Sequence, residues 1–247
     1  MGQTLKKYLQ RPLTPIPDEH RDIIERGKDM PPDGVLKFEE KDKLLDDSMQ
    51  YENGFYHFPD GRAYVACLTR MPGVTVEMLC WWFRWHSKDP IRYQIWYPGM
   101  HFHVQADETG FTHYVVEDIG TGRQRLVIRF MTPADFGFSR LEKLDFSRNA
   151  IICARVGTAI PKHIVWHTWM CHYAKEVEWG VELRSRFWIG WDMKVSGPLA
   201  PILTGVVRRM RKRVIPKDVG RHMFHHCAQE YHHLAAILPE IYEEFGD

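Results

Sequence analysis

HMFHHCAQEYHHLAAILPEIYEEF, residues 222–245, reads as one long helix with an unusual face. Steps of three and four residues bring His222, His226, Glu230 and His233 one above another, and the same face turns apolar through Ile237 and Ile241. A face that continues into isoleucines seeks burial, so the polar groups on it need partners, and a divalent metal is a common partner for a His and a Glu four residues apart. The surface this helix packs on is written upstream. From Arg62 the chain turns strand-like, in RAYVACLTR (62–70), HFHVQ (101–105), HYVVEDI (113–119), RLVIRFM (125–131), AIICARVG (150–157), HIVWHTWMCHYAKEV (163–177) and VELRSRFWIGW (181–191). A helix from the N-cap candidate Thr75 to His86 interrupts them. Short turns with glycine, such as residues 120–122 and 178–180, join long strands, which predicts a curved antiparallel sheet of the α+β class gripping the final helix, about Asp218 to Glu244. Such an enclosure is a natural small-molecule site. Residues 1–60, polar and rich in proline, read as a helical amino-terminal extension that serves dimerisation or caps the pocket, and 61–247 as the main domain.

Composition narrows the function. The chain has 247 residues, 44% of them hydrophobic, and a net charge of +1, which favours neither nucleic-acid binding nor disorder. Aromatic residues reach 13%, nine of them Trp, and much of this content is concentrated in WWFRWH, RYQIWYP, HTWMCHY and FWIGW, walls suited to a core or to a planar apolar ligand. Cys67, Cys80, Cys153, Cys171 and Cys227 stand singly, so neither a disulfide framework nor a thiolate zinc site is expected. No apolar run is long enough to span a bilayer, and Gly2 lacks the Ser or Thr at the sixth position of an acylation signal. A cytoplasmic protein with no membrane or nucleic-acid partner is the expectation. The basic run RRMRKRVIPK (208–217) has no interleaved aromatic residues and reads as a solvated helix end.

Periodicity adds two further candidate ligands. Leu79, Trp82, Phe83 and His86 share a helical face, so His86 points inward with the aromatic rings. Strand alternation puts His113, Val115, Glu117 and Ile119 on one face, and a buried Glu117 needs a counter-charge. His86, Glu117, His226 and Glu230 thus form a two-His, two-carboxylate set suited to zinc, with iron or manganese behind it. His101 and His103, and His163, His167 and His172, compete for the same role, and periodicity alone does not choose among fourteen histidines.

WWFRWH, DPIRYQIWYPGMHF, VVED, CHYAKEVEWGVELRSRFWIG and the closing HHCAQEYHHLAAILPEIYEEF together resemble the 2,4-diacetylphloroglucinol hydrolase family, which also contains phloretin hydrolase. The likeness covers about residues 50–245. It implies a helix-grip fold like that of the birch-pollen allergen and START-type domains, an amino-terminal part involved in a homodimer, and a Zn2+ ion held by two His and two Glu. Carried over by motif, these ligands are His86, Glu117, His226 and Glu230. The implied activity is hydrolysis of a carbon–carbon bond in a ketonic substrate, between an acyl carbon and a phloroglucinol-type ring, with His172 as the acid for the ring carbon. At the places where the family grips substrate phenols the chain shows Met78, Asp89 and Phe187, a departure that favours a longer-armed substrate such as phloretin. Two rivals remain: a non-catalytic helix-grip carrier of aromatic molecules, and a metal hydrolase of another 1,3-diketone or polyketide.

Overall fold

A computed structural model describes residues 2–246. One sheet of eight antiparallel strands dominates: β1 (Gly54–His57), β2 (Ala63–Pro72), β3 (His101–Ala106), β4 (Thr112–Asp118), β5 (Arg123–Met131), β6 (Asn149–Ile160), β7 (His163–Val177) and β8 (Gly180–Ser196), in the order β1-β2-β8-β7-β6-β5-β4-β3. β3 to β8 form a meander of neighbours in sequence, and the β1–β2 hairpin joins it at β8, with Ala63 opposite Ile189. The helices are α1 (Gly2–Leu9), α2 (Asp18–Arg26), α3 (Val76–Trp85), α4 (Pro90–Gln94), α5 (Pro133–Phe136), α6 (Ala200–Arg209), α7 (Arg211–Val214) and α8 (Val219–Phe245). The Thr75 hydroxyl accepts from the Met78 N–H and starts α3, as its position before the apolar run predicts.

α8 packs chiefly along β2 and β1. Phe224, Cys227, Tyr231, Leu234, Leu238 and Ile241, three and four residues apart, are each less than 1% exposed and form its core stripe, while His226 and Glu230 flank that stripe and are buried too. The opposite face of the sheet is also covered. Leu36, Leu44 and Leu45, from the segment before β1, pack on Tyr64, Tyr173 and Trp188, and the Trp188 indole N–H donates to the Leu36 carbonyl at 2.7 Å. Burial on both faces accounts for the unbroken aromatic and apolar text of β8, where a one-sided sheet would alternate.

The segment 1–60 is integral to this body. β1 lies inside it, so a boundary at residue 60 falls in the β1–β2 hairpin, and Leu5 and Tyr8 of α1 belong to the main core. No described residue of 1–60 lines the large cavity. No helix among the described residues is long and apolar enough to cross a membrane.

One irregularity shapes the interior. Trp166 faces Gly157 and Thr168 faces Val156, so β7 carries His167 as an extra residue relative to β6. Such a bulge lets two successive side chains share a face. His167, Thr168, Met170 and His172 all line the cavity as a result.

Candidate active site

Between α8 and the concave side of β4–β8 lies a cavity of about 670 Å³, within the range that takes a drug-sized ligand. Phe83, Trp96, Phe130, Met170, Phe187 and Ile189 supply much of its apolar wall. At one side Glu117, His226 and Glu230 face it.

Here the structure gathers a polar cluster. His101 opens β3 directly opposite Glu117 of β4. Its Nε2 lies 3.2 Å from Nε2 of His226, 3.5 Å from a Glu230 carboxylate oxygen and 3.9 Å from Glu117, and His226 Nε2 is 3.8 Å from Glu230. His101, His226 and Glu230 present atoms close enough together to hold one metal ion, and all are buried. His101 Nδ1 sits 3.2 Å from the Tyr93 carbonyl, which can only accept; the proton is therefore on Nδ1, and the Nε2 lone pair points into the cluster. The Tyr93 ring stacks on His101 at 4.1 Å while its hydroxyl donates to Glu117, so one residue of α4 orients two members of the group.

Without a cation these neighbours are electrostatically costly. Burial pushes His226 down to about 3, and burial with the adjacent His226 holds His101 well below the usual imidazole range. Burial, followed by Glu117, pushes the Glu230 carboxyl well above its ordinary value; burial raises Glu117 too, against the Tyr93 hydrogen bond. Two neutral imidazoles facing two desolvated carboxylates fit a divalent ion and its mixed nitrogen and oxygen donors.

Of the residues singled out in the sequence, Glu117, His226 and Glu230 come together with His101, and His86 lines the same cavity, near enough to His101 to disfavour its protonation. His86 follows α3, its Nδ1 donates to the Trp82 carbonyl at 2.9 Å, and its ring packs on Trp82, Trp96 and His113. His86 does point inward, as helical spacing indicates, but onto the cavity wall, and His101 occupies the place beside His226. A register shift between His101 and His103 buries the first and exposes the second, which undoes the simple alternation of that strand. His222 lies against Gly120 of the β4–β5 turn, and His233 Nδ1 meets the Thr14 backbone N–H on another side of α8.

His172 lines the cavity with Nδ1 2.7 Å from the Ser185 hydroxyl, and Phe187 packs edge-on against it. Burial holds it neutral, pushed down to about 3. Phe187 is a wall residue, whereas Asp89 is an exposed N-cap accepting from the Ile91 N–H and Met78 lies outside the cavity lining. Tyr93 and Tyr231 were not singled out in the sequence, although both belong to the quoted motifs. The Tyr231 hydroxyl is buried without a hydrogen-bond partner among the described residues, and its ring is 5.0 Å from His172.

The family model described as the DAPG hydrolase PhiG domain matches residues 36–243. The chain belongs to this DAPG hydrolase family. It is 34% identical to a phloretin hydrolase of Eubacterium ramulus over 259 aligned residues, which cover 98% of this chain and 90% of that protein. It is 30% identical to a 2,4-diacetylphloroglucinol hydrolase of Pseudomonas protegens over 230 residues, 84% of this chain and 73% of that one. This member of the family thus has hydrolases of acylphloroglucinols as relatives along nearly all of its length, and the cavity and cluster lie within the matched region.

Proposed function

We propose that this protein is a zinc-dependent hydrolase with a helix-grip fold that cuts the bond between the acyl carbon and the ring of an acylated phloroglucinol of the phloretin type. The observation that carries this reading is the convergence of His101, His226, Glu230 and Glu117 on the wall of an apolar cavity that also holds His172. A carrier of aromatic molecules has no use for two carboxylates desolvated beside two imidazoles.

The reaction adds water across the bond: hydroxyl goes to the acyl carbon, a proton goes to the ring carbon, and the bonding pair leaves with the ring. An aryl carbanion is a poor leaving group, so the ring carbon is protonated first, giving a keto tautomer from which an enolate departs. His172, neutral and anchored by Ser185, suits a relay that takes a proton from a ring hydroxyl and delivers it to the ring carbon. The free hydroxyl of Tyr231, next to His172, suits a ring oxygen. His101, His226, Glu230 and Glu117 would hold a divalent ion, which would supply Lewis-acid polarisation and a lowered pKa for water. Tyr93 keeps Glu117 and His101 in position for it.

The proposal includes a homodimer in a reducing cytoplasm, in keeping with five free cysteines and an exposed row of Leu199, Ile202 and Val206 on and next to α6. Metal analysis by mass spectrometry, paired with phloretin hydrolysis, tests the site. About one zinc per chain is expected in the native protein, with metal and activity lost together in His101→Ala, His226→Ala and Glu230→Ala and metal retained in His86→Phe. Loss of metal from the His86 variant with retention in the His101 variant would overturn this ligand set.

A further inference from the structure

The cavity has a second polar pole that the hydrolytic chemistry does not use. His167, the extra residue of the β7 bulge, holds Nδ1 2.8 Å from the Thr168 hydroxyl and Nε2 3.1 Å from the Thr158 hydroxyl of β6, and all three residues line the cavity. His167 and His172 are five residues apart on the same strand, about 16 Å at the usual rise per residue. Met170 and Ile189 make apolar wall between them, so the cavity runs from a proton-handling end to a hydroxyl-lined end across an apolar waist.

The hydrogen-bonding arithmetic defines a ligand. A neutral imidazole donates from one nitrogen and accepts at the other, so one threonine hydroxyl receives the imidazole proton and the other gives its own. The receiving threonine keeps a free O–H donor, and the giving threonine keeps lone pairs. Neither hydroxyl has another partner among the described residues. One donor and one acceptor side by side match a group that is itself both, and a phenol hydroxyl is such a group. Burial, with Arg155 nearby, pushes His167 down to about 4, so its imidazole is neutral near neutrality and acts through hydrogen bonds rather than charge.

We propose that Thr158, His167 and Thr168 form a subsite for the terminal phenol hydroxyl of an arylalkanoyl arm, selecting acyl chains that end in a hydroxylated ring. This rests on the acyl–ring hydrolase reading: with the acyl carbon near the metal cluster and the phloroglucinol ring at His172, the arm extends toward the bulge. A pocket that hydrogen-bonds a buried hydroxyl rejects the analogue lacking it, because its own polar groups are then left unpaired.

The test compares three substrates: 3-(4-hydroxyphenyl)propanoyl-phloroglucinol, its 3-phenylpropanoyl analogue, and acetylphloroglucinol as a short-armed control. In the native protein, kcat/KM for the hydroxylated arm is expected to exceed that for the phenyl arm by at least tenfold. In the Thr158→Val/Thr168→Val double variant the ratio falls to about one while the acetyl substrate is turned over as before. Thr158→Val alone, at a half-buried position, gives the same direction if the double variant does not fold. Binding of the two long-armed compounds to the metal-stripped protein, followed by tryptophan fluorescence, reads the same preference without turnover. Equal treatment of the two arms by the native protein, or a preference that survives both variants, overturns the subsite. Failure to hydrolyse any of the three, with the binding preference intact, overturns the proposed reaction and leaves the subsite standing.

Discussion

At the scale of single residues, chemistry here depends on which neighbour each histidine meets. Four-residue helical spacing pairs His226 with Glu230, and strand alternation turns Glu117 inward; both patterns are local and legible in the sequence. The nearness of His101 to His226 is a matter of tertiary position, because His86 and His101 are both inward-facing histidines beside tryptophans, and only the docking of the β3 start against α8 brings His101 to His226. Asp89 illustrates the converse: a carboxylate that the family resemblance offers as a substrate contact caps α4. His172 differs from the cluster in having no metal-ligating neighbour, so its loss should be felt in turnover alone. His172→Asn is expected to match the native protein in metal content and fold and to lower kcat by about 10²- to 10⁴-fold, the range for removal of a positioned acid or base. Ser185→Ala, which frees the imidazole without removing it, should give a smaller loss. Steady-state kinetics with metal analysis on the same preparations checks both, and an unchanged kcat in His172→Asn would remove it from the mechanism.

At the scale of elements, β2 to β8 and the two main helices are readable from period and capping, but β1, within the segment that reads as a helical extension, and the devices that aim side chains are not. The bulge at His167 has no glycine or proline within β7 to mark it; its glycine is Gly157 on the partner strand β6, opposite Trp166, and only the pairing, with Thr168 facing Ile189 and Trp166 facing Lys194 on the other side, brings the two together. The β7–β8 hairpin is different, because its glycine lies within the hairpin itself. Gly180 has φ +151° and stands opposite Pro72, and a Cβ there would meet the Met71 carbonyl oxygen at 2.2 Å. That oxygen belongs to a backbone held in β2, which cannot swing aside as a side-chain tip does. Gly180→Ala is therefore expected to destabilise by about 2–3 kcal/mol, the cost of a forced backbone conformation, and to lower Tm by roughly 5–10 °C. Gly205→Ala, in the interior of α6 with open space around it, should raise stability by about 0.5–1 kcal/mol. Thermal unfolding of the two variants beside the native protein separates a steric role for Gly180 from a generic glycine effect, and equal shifts would contradict the steric account.

At the scale of the molecule, covering both faces of the sheet lets this chain bury titratable groups that hydropathy pattern alone cannot place, and those groups tie metal, acidity and stability together. His86 and His172 are each 2% exposed and pushed down to about 3 by burial. In the unfolded chain an imidazole takes up its proton near pH 6.5, so between there and pH 3 the unfolded state binds protons the native state refuses. Each such group lowers stability by about 1.4 kcal/mol per pH unit of acidification in that window. Glu117 and Glu230 act in the opposite sense when no metal is present. Their carboxyls are raised by burial, so the metal-free native state takes up protons before the unfolded chain does, and acidification toward the ordinary carboxyl range favours folding. A divalent ion keeps both carboxylates ionised and removes that compensation. Metal-loaded protein should therefore lose stability more steeply than metal-free protein as the pH falls from 7 to 5, so that the stabilisation conferred by zinc shrinks across that interval. Urea unfolding at pH 7, 6 and 5, with saturating zinc or with chelator, measures the difference directly. A zinc-dependent increment that stays constant over the range would mean that the buried carboxylates do not exchange protons for metal, and that the ion sits elsewhere.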